Sequence, residues 1–285
     1  MPILNPLFSI ITVVYNSETT IKQTIESVIR QNSELFEYII IDGLSTDKTN
    51  DIIENYLSDI DIYISEKDNG LYDAMNKALS LSNGEYIYFL NSDDYFADDS
   101  ILETIAEVIA SNDKNYEIVS GAVKIDYGDQ LIRYNHDCSE KNLSRGKMPP
   151  HQGLFIKKSI MIKNKGFNVE YSSSSDFDLL VRIMKSKPFV KTIPHLIAIM
   201  RTGGISSNKL LSYTERFNII KYEYSFILGI RYYLIKVIIE QGFKSIIHMI
   251  FPNNIFKKIK MLYMTIIGLK NGYHVENKGN KNVGR

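Results

Sequence analysis

The chain has 285 residues, is 44% hydrophobic and 23% charged, and balances 33 basic against 33 acidic side chains. That composition fits one large globular domain, with or without a smaller appendage. It excludes a disordered, collagenous or simple coiled-coil chain and a protein that coats a polyanion along its whole length. One cysteine, Cys138, excludes an internal disulfide framework and a multi-cysteine zinc cluster and favours a reducing compartment.

Phe8–Tyr15 (FSIITVVY) is an almost continuous β-branched run, as a strand buried on both faces requires. Asn16-Ser17 then supplies cap residues for a helix in which Ile21, Ile25, Val28 and Ile29 recur at helical spacing. Tyr38–Ile41 reads as a second buried strand closed by Asp42-Gly43, Lys48–Leu57 as a helix, and Ile60–Ile64 as a third strand. A helix over Leu71–Leu81 and a strand over Tyr86–Leu90 follow. Strands alternating with helices predict a mostly parallel α/β sheet with helices on both faces, and in such sheets ligands sit beyond the carboxyl ends of the strands. Four polar clusters fall there: Tyr15-Asn16, Asp42-Gly43, Glu66–Gly70 and Asn91–Asp94.

Beyond residue 115 the pattern changes. Glu117–Ala122, Lys124–Asp126 and Asp129–Tyr134 read as strands of a hairpin, Gly153–Ile156 as a short strand, and Phe177–Lys185 as a helix on which Asp178 faces Arg182 at i+4. From Leu210 two or three amphipathic helices are predicted, broken at Gly242 and Pro252. The expected organisation is a body of residues 1–205, with halves 1–114 and 115–205, followed by a helical, basic extension over 206–285. The neutral total hides a dipole, because residues 1–208 carry a charge of −9 and residues 209–270 carry +7.

The opening apolar run is short and Lys22 follows it, so no signal peptide is predicted. No stretch reaches the roughly 18 apolar residues needed to cross a bilayer. Thr192–Met200 and Ser245–Phe256 are interrupted by Pro, His or Asn. In the tail, Ile255, Phe256, Ile259, Leu262, Tyr263, Ile266 and Ile267 share one helical side with Lys257 and Lys258 opposite. Such a helix either lies in an anionic bilayer surface or packs on the body or a second subunit. Nucleic acid is not an expected partner, since no base-reading motif accompanies the lysines.

The strongest local signal is YIYFLNSDDYF, Tyr86–Phe96. Carboxylates leaving a buried strand at a sheet rim suit a hard divalent cation shared with phosphate, although the same residues also make turns and helix caps. Pro149-Pro150 presents His151-Gln152 with little loss of chain entropy.

Together these segments resemble the family 2 glycosyltransferases, nucleotide-sugar enzymes of the GT-A fold. FSIITVVYNSETTIKQTIESVIRQ, EYIIIDGLSTDKT, SEKDNGLYDAMNKAL, GEYIYFLNSDDYF and SSDFDLLVRI occur in order across about residues 7–205. The resemblance implies that Thr12, Val14 and Tyr15 bracket the nucleobase, with Tyr15 stacking on it, that Asp42 accepts a hydrogen bond from a uracil ring, and that Asn91-Ser92 lie at the ribose. Lys67, Asp73 and Asn76 would flank sugar and phosphates, with His151 and Gln152 on the sugar side. Asp93, with Asp94 in support, would hold Mn²⁺ or Mg²⁺. One departure is Asn91, where the family's acidic motif begins with Asp. Asp176 would be the base that deprotonates the acceptor hydroxyl, in a sequence where Ser175 stands in place of the usual Glu. As a helix N-terminal acid, Asp176 also has a purely structural reading. Arg201 reads either as a phosphate contact or as an ordinary surface residue, and Gly203-Gly204 as a mobile loop beside it.

The resemblance implies an inverting hexosyltransferase working from a UDP-sugar in bacterial O-antigen, capsule or exopolysaccharide synthesis. Its acceptor would be an oligosaccharide or a polyprenyl-diphosphate-linked glycan, and its place cytoplasmic and peripheral at the inner face of the membrane. The alternatives are a nucleotide-sugar binding module without turnover and a nucleotidyltransferase. The latter lacks a glycine-rich phosphate loop with a following Lys after the first strand.

Overall fold

A computed structural model describes residues 5–111, 115–128, 130–134, 138–202, 209–236 and 274–277. In chain order the first half gives β1 (Phe8–Val14), α1 (Ile21–Ile29), β2 (Phe36–Asp42), α2 (Thr49–Glu54), β3 (Ile62–Ser65), α3 (Leu71–Leu81), β4 (Tyr86–Phe89), β5 (Tyr95–Phe96) and α4 (Ile101–Ala110). The second gives β6 (Ile118–Asp126), β7 (Gln130–Tyr134), α5 (Glu140–Leu143), β8 (Leu154–Lys157), α6 (Lys158–Lys163), α7 (Ser175–Lys185), β9 (Val190–Arg201), α8 (Lys209–Glu223), α9 (Phe226–Tyr233) and β10 (His274–Asn277). Short 3-10 turns occupy Leu57–Asp59 and His151–Gly153.

The sheet order is β10-β7-β6-β8-β4-β1-β2-β3. β4, β1, β2 and β3 are parallel, while β8 joins β4 and β6 antiparallel. β1 and β2 are buried at every residue because helices cover both faces. Period-two alternation divides their side chains between two cores. Ile11, Val13, Ile39, Ile41, Ile87 and Phe89 face the core of α3, α6 and α7, and Phe8, Ile10, Tyr38, Ile40, Tyr86 and Tyr88 face that of α1, α2 and α4.

Several sequence expectations change. Asn16-Ser17 does not cap α1. The helix opens at Ile21 after Thr20, the Ser17 carbonyl accepts the Thr20 and Ile21 amides, and the Asn16 side chain is spent on the Thr46 amide at 2.8 Å. The helix expected over Lys48–Leu57 is shorter and ends in the 3-10 turn. The two strands expected over residues 117–126 are one, β6. β9 is not among the strands that the sequence predicts. Pro194 falls where the pairing jumps from Ser120↔Thr192 to Ala122↔Leu196, an irregularity that spares the missing N–H. α4 is not among the predicted helices either, though Ile101, Leu102 and Ile105 seat it. The glycine loop 203–204, the breaks at Gly242 and Pro252 and the amphipathic run 255–267 lie outside the described residues. Among the described residues no helix is long and apolar enough to cross a membrane.

Candidate active site

The carboxyl ends of β1, β2, β3 and β4 deliver the four polar clusters to one rim. The Asn16 amide donates to Ser45 Oγ at 2.8 Å, and Ser17 Oγ meets Ser92 Oγ at 2.9 Å, joining the first, second and fourth clusters. Gly43 admits the third. A Cβ there would sit 2.6 Å from an Asp68 carboxylate oxygen and 3.5 Å from the Tyr15 ring, so a larger residue would push the Asp68 side chain aside. Tyr15 is 61% exposed above it, free to stack.

Turn Asn91–Asp94, between β4 and β5, is tied to α1 from below. Thr24 Oγ1 lies 3.0 Å from the Ser92 carbonyl and 2.7 Å from the Asp94 carbonyl. Arg201, at the end of β9, donates to the Asp93 carbonyl at 2.8 Å and to Gln23, and lies over the Tyr95 ring. Antiparallel pairing of β9 with β5 puts it there, a pairing that the sequence does not announce.

Asp94, expected in support of a metal, points inward. It is 1% exposed, and its oxygens accept Gln152 Nε2 at 2.6 Å and the Arg201 amide at 3.0 Å. Burial and then the charge of Asp93 push its carboxyl up to about 7. Burial also raises Asp93, against its own backbone amide, Arg201 and His151. Among the described residues no cluster of three acidic, His or Cys side chains forms a metal cage. The donor set fits a hard cation that takes one or two protein carboxylates and completes its shell with phosphate and water. Asp93, partly exposed and on the rim, is the carboxylate so disposed.

The raised Asp94 carries a stability prediction. Its folded-state value exceeds the ordinary one, so ionisation opposes folding and the deficit is complete above about pH 7. Asp94→Asn keeps the shape, and once the Gln152 amide turns over, Gln152 Oε1, buried without a partner, can accept from the new NH2 group. In metal-free buffer the variant is expected to melt higher than wild type by a margin that grows from about pH 4 to pH 7 and then levels off. Each pKa unit is worth about 1.4 kcal/mol. Thermal melts across that range check it, and a pH-independent difference would contradict the burial argument.

On the opposite wall, Pro149-Pro150 leads into the turn that carries His151 and Gln152, pinned by Tyr88 Oη on the Gln152 carbonyl at 2.6 Å. His151 Nε2 lies 3.4 Å from Asn91 Oδ1, and its Nδ1 lies 3.7 Å from Asp176 Oδ2, an ion-pair distance rather than a hydrogen bond. The histidine therefore spans the gap between the β4 turn and the start of α7. Asp176 Oδ1 accepts Tyr72 Oη at 3.2 Å and the Phe177 amide at 2.8 Å, so Oδ2 is the oxygen turned toward His151. Burial works to raise the Asp176 carboxyl, but His151, the Arg216 guanidinium and the Phe177 amide outweigh it and hold the group below the usual range. A cavity of about 50 Å³, walled by Tyr72, Met75, Phe89, Leu154 and Leu179, lies beneath the pair.

Other expected site residues are committed to structure. Thr12 is buried, with its hydroxyl 3.1 Å from Tyr38 Oη, and Val14 is buried in the core of α1, so neither side chain reaches the rim. Asp42 is on the rim but fully covered, accepting Ser45 Oγ at 2.5 Å and Ser65 Oγ at 2.6 Å. Asp73 accepts the Asn69 amide at 2.9 Å, and Asn76 clamps Phe167 through both its backbone N–H and C=O at 2.8 Å. Lys67 is exposed. Asp178 pairs with Arg182 at 2.7 Å, as the i+4 spacing predicts.

A parallel run of strands with polar residues at its carboxyl ends, extended by further strands into a mixed sheet and flanked by helices, is the architecture of the GT-A glycosyltransferases. The chain belongs to glycosyl transferase family 2, whose sequence model matches residues 9–173. It is a transferase. Over 214 residues it is 26% identical to a PGL/p-HBAD biosynthesis glycosyltransferase of Mycobacterium bovis, covering 71% of this chain and 80% of that one. Over 234 residues it is 32% identical to the UDP-Glc:alpha-D-GlcNAc-diphosphoundecaprenol beta-1,3-glucosyltransferase WfaP of Escherichia coli, covering 75% and 86%. S. aureus TarS 1-349 in complex with UDP-GlcNAc superposes with a TM-score of 0.61 at 20% identity over 76% of this chain and 66% of that one. This chain spans 39% of the longer TarS chain. The mannosyltransferase PcManGT from Pyrobaculum calidifontis, in complex with GDP-Man and Mn²⁺, superposes with a TM-score of 0.60 at 14% identity over 93% and 81%.

Proposed function

We propose that the chain is an inverting hexosyltransferase that takes its sugar from a UDP-linked donor and places it on a lipid-linked glycan acceptor in the synthesis of a bacterial surface polysaccharide. The observation that carries this reading is the His151 bridge, because it sets Asp176 Oδ2 and the Asn91–Asp93 turn on facing walls of one cleft.

Tyr15, exposed at the end of β1, would stack on the base, above the loop after β2 that the covered Asp42 braces through Ser45 and Ser65. Asn91 and Ser92 would meet the ribose. A divalent cation held by Asp93 and the donor diphosphate would offset the charge that develops on the leaving group. Asp176 Oδ2 takes the proton of the acceptor hydroxyl as that oxygen bonds to the anomeric carbon and the bond to the diphosphate breaks on the opposite side. One displacement inverts the centre. Because Asp176 lies below the usual carboxylate range, it is ionised and ready across neutral pH.

The lipid-linked acceptor rests on the likeness to WfaP, whose name specifies a diphosphoundecaprenol acceptor. Contact with an anionic membrane surface at the inner face is supported by α9 and the turn after it, which expose Phe226, Ile227, Leu234 and Ile235 beside Arg231.

A thermal-shift panel of UDP-, GDP- and dTDP-sugars with and without Mn²⁺ tests the donor. At 100 times its dissociation constant a donor adds about 2.7 kcal/mol, and UDP-sugars are expected to give the largest shift. No shift with any nucleotide would end the reading.

A further inference from the structure

We infer that Glu215 on α8 is a positioning residue for sugar transfer, setting the serine loop that aims Asp176. The inference rests on the reading of Asp176 as the base.

The loop Ser172-Ser173-Ser174 runs directly into α7, and Ser174 at the helix cap makes no side-chain capping bond. α7 has its own first-turn acids, Asp176 and Asp178, and a further carboxylate reaches the amides just ahead of it from another helix. Glu215, only 7% exposed, accepts the Ser172 amide on Oε1 at 2.8 Å and the Ser173 amide on Oε2 at 3.0 Å. Both carboxylate oxygens are thus spent on backbone three and four residues before Asp176.

Ser212 on α8 holds the same loop, and Arg216 on α8 lies against the start of α7. Ser174 Oγ donates to the Ser212 carbonyl at 3.4 Å. The Arg216 guanidinium lies 5.1 Å from the Phe177 ring centroid and donates to the Gly146 carbonyl at 3.2 Å. Tyr213 packs edge-on against Tyr232, locking α8 to α9. A carboxylate buried this far is costly unless its bonds are made, and these two bonds fix a loop rather than fill a core. Charged and titratable groups reach Asp176 from three elements: Tyr72 on α3, His151 on its turn and Arg216 on α8, while Glu215 acts on Tyr72. α8 therefore supplies both the geometry and part of the field around the base. Misplacing a reacting group by about 1 Å can cost on the order of 100-fold in rate.

The experiment compares full-length wild type, Glu215→Gln, Glu215→Ala, Arg216→Met and Asp176→Asn, all assayed well below their melting temperatures. Glu215→Ala is expected to lower kcat by about 10- to 100-fold with KM for the donor sugar within about twofold. Glu215→Gln should fall between it and wild type, since its amide oxygen still accepts one N–H. Arg216→Met should move the acid limb of kcat to higher pH, because a positive charge that favours ionised Asp176 is gone. Wild-type kcat in folded Glu215→Ala, with Asp176→Asn inactive, would overturn the positioning role and leave the base reading standing. Wild-type kcat in Asp176→Asn would remove the base reading itself. If Glu215→Ala does not fold, Glu215→Gln, which loses one of the two loop bonds, decides, and wild-type kcat in it overturns the positioning role.

Discussion

Asp176→Asn is expected to reduce kcat for sugar transfer by about 10²- to 10⁴-fold, the range that a positioned general base supplies, with nucleotide-sugar affinity little changed. The substitution keeps the Tyr72 and Phe177 bonds to Oδ1 and takes basicity from Oδ2, which faces His151. The reacting oxygen thus loses its proton acceptor while the wall of the cleft stays in place. A stability change accompanies it. A carboxyl whose folded-state pKa is depressed stabilises the fold above its ordinary value, and that contribution is lost as pH falls through the folded-state value. At pH 7 the asparagine variant is therefore expected to melt somewhat lower than wild type, so rates must be compared far below both melts. Single-turnover transfer and donor titration check the split, and equal loss of binding and turnover would contradict it.

Asp93→Asn is expected to raise the Mn²⁺ concentration for half-maximal transfer by at least about tenfold, the lower end of what even outer-shell changes cost a metal site. In the Asn91–Asp94 turn, Asn91 carries no charge and Asp94 is covered and spent on Gln152 and Arg201. Asp93 is the remaining acid. The Arg201 bond goes to its backbone carbonyl, so the side chain can be changed without releasing the turn. Recovery at saturating Mn²⁺ would place the loss in metal capture. An unchanged Mn²⁺ requirement would remove Asp93 from that role.

Much of the first half was legible because its signals are local. Continuous β-branched runs marked the strands, and polar residues directly after them marked the rim. Such reasoning does not tell which rim side chains turn outward. Thr12 lies in a strand covered on both faces, so it is buried whichever way it points and is satisfied by Tyr38. Asp93 and Asp94 are adjacent and chemically alike, and their opposite fates follow from Gln152 and Arg201, 58 and 107 residues from Asp94.

The sequence by itself determined the strand-helix alternation, the parallel half of the sheet, the family and the gathering of polar clusters at one rim. Burial periodicity and strand-end chemistry are written within windows of ten to twenty residues. Tertiary structure alone decided that His151 bridges Asn91 and Asp176, that Arg201 holds the β4 turn and that Glu215 grips the loop before the base. Each of those contacts joins groups far apart in the chain that sheet order and helix packing bring together, and a single chain carries no local signal for a pairing of that kind.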